Sequence, residues 1–313
     1  DAADAPRSLI LPLAEDQPDI ACQIIARSPV LTEVDLVELA ARGDAITRAL
    51  IASRFIVSPP VCAAIAEIGG AAEIEALLTN PGAIVTRQSL RRISERLGHA
   101  AEIRDLLLTR EELPADARHG LAVSISHALS ESSLVRNAIG GTRLDLIRRE
   151  ACETTTIALA AQAPVADIAP LVEHLRRDGR LTPNFLLQAL CTGRIDFFAA
   201  AIVSLSSLSD KRVRAIMADG RFHALRALYE SAGLGRDISE IFVEATVQWR
   251  MASRGKAGMP FSGIAERLIT KFRIGTKADS VADQLIDMIE KLQFAEQRQS
   301  ARAYASFLAL EAA

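Results

Sequence analysis

One spacing of aliphatic residues recurs four times in the first 121 residues and constrains the fold more than any other feature. Each copy has Ile first, Ile or Leu four residues later, then a helix-starting residue, and Ile or Leu seven residues after that. The helix-starting positions, 32, 58, 86 and 114, are 26, 28 and 28 residues apart. A period of this length indicates stacked helical repeats. The copies are Ile20/Ile24/Thr32/Leu39, Ile46/Leu50/Ser58/Ile65, Ile74/Leu78/Thr86/Ile93 and Ile103/Leu107/Pro114/Leu121.

Each copy predicts a helical hairpin, because aliphatic residues four apart lie on one face of an α-helix. Proline or glycine between its two helices either disfavours helix or pre-sets its first turn. We expect Thr32, Ser58 and Thr86 to cap the second helices by accepting a backbone amide hydrogen bond, and Thr32 to form a capping box with Asp35. We also expect left-handed glycines to end these helices. The glycines are Gly43, Gly69, Gly70 and Gly98.

The composition favours helices throughout the chain. Half of the 313 residues are apolar, only 4% are aromatic, and good helix formers such as Ala, Leu, Arg and Glu dominate. Hairpins of such short helices are marginal alone in water, so neighbouring hairpins must share a core. We therefore predict an all-α fold, a right-handed α-solenoid-like stack of short helical hairpins (a HEAT-like superhelix) followed by a less regular C-terminal helical region.

The pattern divides the chain into four segments. An irregular lead-in (1–18) precedes the repeat domain (19–135), and a second helical region (136–255) is followed by C-terminal capping helices (256–313). The aliphatic spacing returns twice in the third segment, as Leu171/Leu175/Thr182/Leu190 and Phe198/Ile202/Ser209/Ile216. Longer helices are expected over about 142–161, 237–253, 262–274 and 280–311.

Three groups of residues carry a family resemblance. They are Ser28-Pro29-Val30-Leu31-Thr32 with Asp35-Leu36, Leu78-Thr79-Asn80-Pro81-Gly82-Ala83, and Gly193-Arg194-Ile195-Asp196-Phe197-Phe198 followed by Ala232-Gly233-Leu234. With them, nearly the whole chain resembles an uncharacterised bacterial family catalogued as domain of unknown function 2336. The first half also resembles HEAT-like and leucine-rich-variant repeats in its style of packing. The resemblance implies an all-helical repeat fold and implies no activity, cofactor or site residue.

Arginine clusters raise the alternative of nucleic-acid binding. If they lay on one face, they could bind anions as in helical-repeat DNA glycosylases, which would make this a nucleic-acid-binding protein or DNA-repair-type enzyme. Such enzymes also need aromatic residues to meet a displaced base, and this chain has one Trp and two Tyr. The net charge of −3 and acidic residues beside the clusters make nucleic acid the weaker reading. The candidate arginines are Arg176, Arg177, Arg212 and Arg214.

No catalytic, metal or cofactor motif is visible. The five histidines lie outside any HExxH pattern, and no phosphate-binding loop or nucleophile elbow is present. His174 and His223 each stand close before an Arg in a context that loosely resembles phosphorelay helices, so a histidine-phosphorelay-associated signalling module is a second alternative. The four cysteines lack metal-ligand spacing, which favours reduced structural thiols and a cytoplasmic location. They are Cys22, Cys62, Cys152 and Cys191.

The apolar runs are too short for a membrane span. The longest strongly apolar run, Phe197 to Val203, is far shorter than the ~20 residues that a spanning helix needs. We therefore expect no membrane insertion. The sequence begins at Asp1 and not at methionine, so it leaves open whether a leader precedes it.

The repeat pattern favours a non-enzymatic scaffold or adaptor that binds another protein or peptide, in bacterial signalling or regulation. Regular stacking creates an extended binding surface. Trp249 is a candidate interface anchor, since Trp is enriched at binding hot spots. The sequence leaves open the partner, the functional face, the oligomeric state and whether any enzymatic activity exists.

Overall fold

The computed structural model describes residues 5–14, 16, 18–133, 135–136, 140–254, 261–273 and 280–311. These residues are predominantly α-helical, and among them the backbone forms no β-strand, only an isolated parallel bridge between Val57 and Ala83. The helices are α1 (Arg7–Ala14), α2 (Pro18–Arg27), α3 (Glu33–Arg42), α4 (Ala45–Ala52), α5 (Pro59–Ile68), α6 (Ala71–Thr79), α7 (Arg87–Leu97), α8 (Ala101–Leu108), α9 (Ala115–Glu131), α10 (Gly141–Gln162), α11 (Val165–Arg177), α12 (Pro183–Cys191), α13 (Ile195–Ser206), α14 (Asp210–Asp219), α15 (Phe222–Ser231), α16 (Arg236–Arg254), α17 (Phe261–Phe272) and α18 (Val281–Glu311). The all-α prediction is confirmed.

Side-chain caps begin several helices where the sequence predicts them. Thr32 and Asp35 form a complete capping box at α3. Thr86 accepts the amide of Ser89 at 3.2 Å, and Thr182 accepts the amide of Phe185 at 3.3 Å. The prediction for Ser58 is wrong, because its buried hydroxyl has no hydrogen-bond partner, and two prolines begin α5 instead.

The predicted left-handed glycines after the second helices are also wrong. Gly43, Gly69 and Gly98 have φ of −72°, −64° and −62°. Glycine is needed for space: a Cβ at Gly98 would lie 2.5 Å from both the Ser94 carbonyl oxygen and the Leu121 side chain. A side chain at this position would push the next helix away.

The chain separates into two compact units, Asp1–Thr155 and Thr156–Ala313. In the first unit, helices pack on the next helix but one. The helices α2, α4, α6 and α8 contact one another in that order, and α3, α5, α7 and α9 do the same. Each aliphatic copy from the sequence therefore corresponds to one pair of helices, and successive pairs lie side by side.

The core of the first unit is built from the aliphatic rows. Of their twelve Ile and Leu residues, eight are buried, and Ile24 and Leu50 are half-buried. Ile20 and Ile46 are exceptions, with 43% and 61% of their surface exposed. In α2 and α4 the fully buried isoleucines are Ile25 and Ile51, one residue beyond the predicted register.

The expected irregular lead-in contains a helix. In α1, Ile10 and Ala14 are buried against the first unit's core, while Leu9 is exposed. The helix is also tied to α3 by an ion pair, in which Arg7 Nη2 lies 2.5 Å from the Asp35 carboxylate. Leu11 is also partly buried against this core.

In the second unit, not every helix packs on the next helix but one. Here α11, α13 and α15 contact one another in order, but α12 packs against α16, α17 and α18. Of the two predicted copies in this unit, the apolar positions are buried except Ile216, which is half-buried. Val213 and Met217 fill the core of α14 in its place.

An aromatic cluster fills the centre of the second unit. Phe198, Tyr229 and Phe242 are fully buried, with ring centroids 5.7–6.1 Å apart. The Tyr229 hydroxyl forms a 2.5 Å hydrogen bond with Thr246, which satisfies its polar tip inside the core. Burial raises the pKa of Tyr229 well above its usual value.

None of the described helices combines the length and the hydropathy required to cross a membrane.

Candidate interaction surface

Four short links join the first and second helix of each pair in the first unit. They cover residues 28–32, 53–58, 80–86 and 109–114. The residue before each N-cap position (32, 58, 86 and 114) packs inward. Leu31, Val57 and Leu113 are buried, and Val85 is half-buried. Ser28 and Pro114 are also buried, and the other link residues are half-buried or exposed. We therefore treat the links together as one edge of the first unit.

Side chains from the second and third links cap the first helix of the preceding pair. Arg54 donates to the carbonyl oxygens of Ile25 and Ser28. Asn80 Nδ2 donates to those of Ala52 and Arg54, both at 2.7 Å. The last carbonyls of a helix have no partner within it, so these bonds both cap the helix and couple neighbouring links.

Arg110 continues the same arrangement into the fourth link. Its Nη2 donates to the carbonyl oxygen of Leu78, near the end of α6, at 2.5 Å. Every link after the first is therefore tied to the helix pair before it, which fixes the edge as a rigid surface.

The second and third links also pair through their backbones. The amide of Val57 donates to the Gly82 carbonyl, and the amide of Ile84 donates to the Val57 carbonyl, both at 3.0 Å. At Gly82, a Cβ would lie 1.8 Å from the Phe55 carbonyl oxygen. Only glycine permits this approach.

Several large apolar side chains of these links are exposed. Phe55 is 90% exposed, Ile56 63% and Ile84 56%, and Val30 is half-buried at the corresponding place in the first link. We call these four residues the apolar edge. Contiguous apolar side chains held in water by a rigid backbone are typical of protein-binding surfaces.

The exposed charged residues of this edge lie at its two ends, and Arg54, in the second link, is half-buried. Within the links the charged residues are Arg54 and Arg110, which donate to carbonyls, and Glu111 and Glu112, which are exposed. Arg27, the last residue of α2, is exposed immediately before the first link. Arg27, Glu111 and Glu112 have no ion-pair partner within the part of the chain that the structure describes.

The predicted arginine candidates lie in the second unit, on α11 and α14. Arg176 and Arg177 both contact Glu173, at 2.8 and 3.0 Å, and they lower the pKa of that carboxyl to about 2. Arg214 contacts Asp196 and Asp210 at 2.7 and 2.8 Å. These three arginines thus have carboxylate partners, which partly neutralise the positive charge that would be available to bind an anion.

The other two candidates are separate from these ion pairs. Arg212 is exposed on α14 and, among the described residues, has no carboxylate partner. Trp249 is half-buried on α16. Whether either contacts a ligand stays a prediction.

The two phosphorelay candidates differ in exposure. His223 is exposed in the first turn of α15, with its ring against that of Phe222 at 5.5 Å. His174 is half-buried, and its Nε2 lies 3.6 Å from the Asp178 carboxylate. An exposed imidazole is compatible with phosphorylation, and the phosphorelay hypothesis itself remains a prediction.

The four cysteines are free thiols. Cys62 and Cys191 are buried, and burial raises their thiol pKa to about 11 and about 12. Since the thiolate is the reactive form, burial disfavours reaction at both.

Sequence reasoning missed the apolar edge although its signal is present. When the links are aligned on the N-cap positions 32, 58, 86 and 114, the residue two positions before the N-cap is Val30, Ile56 and Ile84 in the first three copies. The position one residue earlier is always Leu or Val. Two aliphatic residues in succession within an extended link cannot both face the core, so one of them must be exposed.

Comparison with known sequences extends over most of the chain. Residues 20–274 match the profile of a family described as an uncharacterised protein conserved in bacteria (DUF2336). No curated protein and no solved structure matches the chain. The match covers all four links and most of both units, and the chain therefore belongs to the DUF2336 family.

Proposed function

We propose that this protein is a non-enzymatic helical-repeat scaffold that binds another protein at the apolar edge. In this proposal the first unit is a right-handed, HEAT-like superhelix of helical hairpins. The packing of each helix on the next but one supports the stacked arrangement, because each hairpin then buries its aliphatic rows against its neighbours.

The observation that carries the proposal is the rigid exposure of Phe55, Ile56 and Ile84. Exposed apolar side chains are common singly, but here three of them project from two backbone-paired links. Rigid links lose little conformational entropy on binding, so more of the apolar burial contributes to affinity. Fully burying one such side chain contributes about 1.5–3 kcal/mol.

The charges of the edge favour protein over nucleic acid. Glu111 and Glu112 would repel phosphates, while Arg54 and Arg110 already donate to carbonyl oxygens. Phosphate binding requires arginine or lysine side chains that are free to contact the backbone of the nucleic acid.

Affinity capture from a bacterial extract, read by mass spectrometry, tests the proposal. The bait is the wild type, compared with a variant carrying Phe55→Ser, Ile56→Ser and Ile84→Ser. Val165→Ser is the matched control, because Val165 is 80% exposed but lies on α11 in the second unit. Circular dichroism verifies that all three proteins are folded.

We expect proteins enriched by the wild type and the control to be lost from the edge variant. Equal enrichment by all three baits would place binding elsewhere. Stabilisation of the wild type by a small molecule, with no protein enriched, would contradict the scaffold itself.

A further inference from the structure

We propose that the protein which covers the apolar edge is a second copy of this chain, related to the first by a two-fold axis. This inference rests on the proposed function, since it requires the edge to be a docking surface. It adds the identity of the partner and the geometry of the pairing.

The order of residues along the edge supports this geometry. The first link begins beside Arg27 and exposes part of Val30, the second exposes Phe55 and Ile56, and the third exposes Ile84. The fourth link exposes Glu111 and Glu112. Arg54, in the second link, is half-buried and donates to carbonyl oxygens. Apart from it, the edge has exposed apolar residues in the middle, an exposed basic residue at one end and exposed acidic residues at the other.

Such an edge is complementary to itself when one copy is reversed. A two-fold axis between the second and third links places the first link of one copy on the fourth link of the other. Arg27 then faces Glu111 and Glu112, and this contact occurs twice. At the centre, Phe55 and Ile56 of one copy pack on Ile84 of the other.

The opposite orientation is disfavoured by charge. If two edges ran side by side in the same direction, Arg27 would face Arg27, and the two glutamates would face their own counterparts. Like charges at an interface oppose the wrong arrangement, so the charged ends select the reversed pairing. Arg27, Glu111 and Glu112 have no ion-pair partner among the described residues. The pairing therefore breaks no ion pair among those residues.

Charge reversal tests the proposal by analytical ultracentrifugation over a concentration series. We expect the wild type to be a dimer that dissociates on dilution. Arg27→Glu alone places three carboxylates at each end contact. Glu111→Arg with Glu112→Arg places three guanidinium groups there. Each variant alone is expected to raise the dimer dissociation constant roughly tenfold or more.

Mixing the two variants is the decisive measurement. In the mixed pair, the carboxylate introduced at position 27 faces the arginines introduced at 111 and 112, and the other contact is unchanged from the wild type. The mixture is therefore expected to form a heterodimer at concentrations where each variant is monomeric. All three positions are exposed, so folding should be unaffected, which circular dichroism checks.

Three results would overturn the two-fold pairing: a wild type that is monomeric at every concentration, variants that dimerise like the wild type, or a mixture that stays monomeric. In each case the capture experiment still decides the proposed function. If the edge variant also loses a protein other than this chain, the edge binds that protein and not a second copy.

Discussion

At the scale of single residues, several arginines cap helix ends. Arg54 and Arg110 each donate to carbonyl oxygens near the end of an earlier first helix. Arg96 does the same for α5, donating to the carbonyls of Ala66 and Gly69 at 2.7 and 3.1 Å. Arg250 contacts three carbonyls at the end of α14. The planar guanidinium, with five donors, suits this task better than lysine does.

Arg250 provides the clearest test of this role. Its Nε, Nη1 and Nη2 donate to the carbonyls of Met217, Gly220 and Ile216 at 2.5, 2.8 and 2.7 Å. We expect Arg250→Ala to lower the free energy of unfolding by about 2–3 kcal/mol, measured by urea denaturation. Arg250→Lys should restore only part of this loss. Arg212→Ala, at an exposed position, is the control and should change stability by less than about 0.5 kcal/mol.

Gly82 tests the close approach of two links. Because a Cβ there would lie 1.8 Å from the Phe55 carbonyl oxygen, Gly82→Ala must separate the second and third links. We expect it to destabilise the protein by about 1–3 kcal/mol in thermal or urea unfolding. Gly120→Ala is the matched control: it lies within α9, and a Cβ there would meet nothing within 4 Å. It should stabilise by up to about 1 kcal/mol, and an equal effect of the two substitutions would contradict the proposed clash.

At the scale of helices, rotation about the helix axis decides which aliphatic residues are buried. The sequence offers two adjacent isoleucines in α2, Ile24 and Ile25, and two adjacent residues in α4, Leu50 and Ile51. Neighbouring residues point about 100° apart around a helix. The period alone therefore predicts where the helices lie along the chain but leaves their rotation to packing.

Alanine substitutions in α4 measure that rotation. Ile51 is fully buried, whereas Ile46 is 61% exposed. We expect Ile51→Ala to lower the free energy of unfolding by about 2–5 kcal/mol. Ile46→Ala should change it by less than about 1 kcal/mol. Chemical denaturation of both variants decides between this register and the one predicted from the sequence, which would bury Ile46.

The ion pair between α1 and α3 predicts a pH dependence. The Arg7 guanidinium lowers the pKa of the buried Asp35 carboxyl from 3.8 to about 2. A lowered folded-state pKa means that the pair stabilises the fold above pH ~4 and that this contribution is lost as the pH falls towards 2. We expect Asp35→Asn to lose about 1–2 kcal/mol at neutral pH. The difference from the wild type, measured by denaturant unfolding, should shrink between about pH 4 and 2.

A difference that stayed constant down to pH 2 would contradict this assignment. Glu38→Gln is a suitable control on the same helix, because Glu38 is exposed and, among the residues that the structure describes, forms an ion pair only with Arg42 of α3. Exposed pairs of this kind contribute little to stability.

At the scale of the whole molecule, the two units use the helical pattern differently. In the first unit, every first helix continues one row and every second helix continues another. In the second unit, α12 leaves such a row and packs on α16, α17 and α18 around the aromatic cluster. The sequence predicted a less regular second half from its longer helices, but it did not indicate which helices meet, since contacts between distant segments leave no local period.

The sequence by itself determined the helical content and several helix caps, including those at Thr32 and Thr86. These features depend on neighbours within about one helical turn, so the order of residues encodes them directly. Only the tertiary structure decided that Ile20 and Ile46 face outward and that Ser58 goes without a partner. It also decided that Phe55, Ile56 and Ile84 share one exposed edge. Those outcomes depend on residues about 26–28 positions away, where the packing of one helix pair on the next sets rotation and exposure.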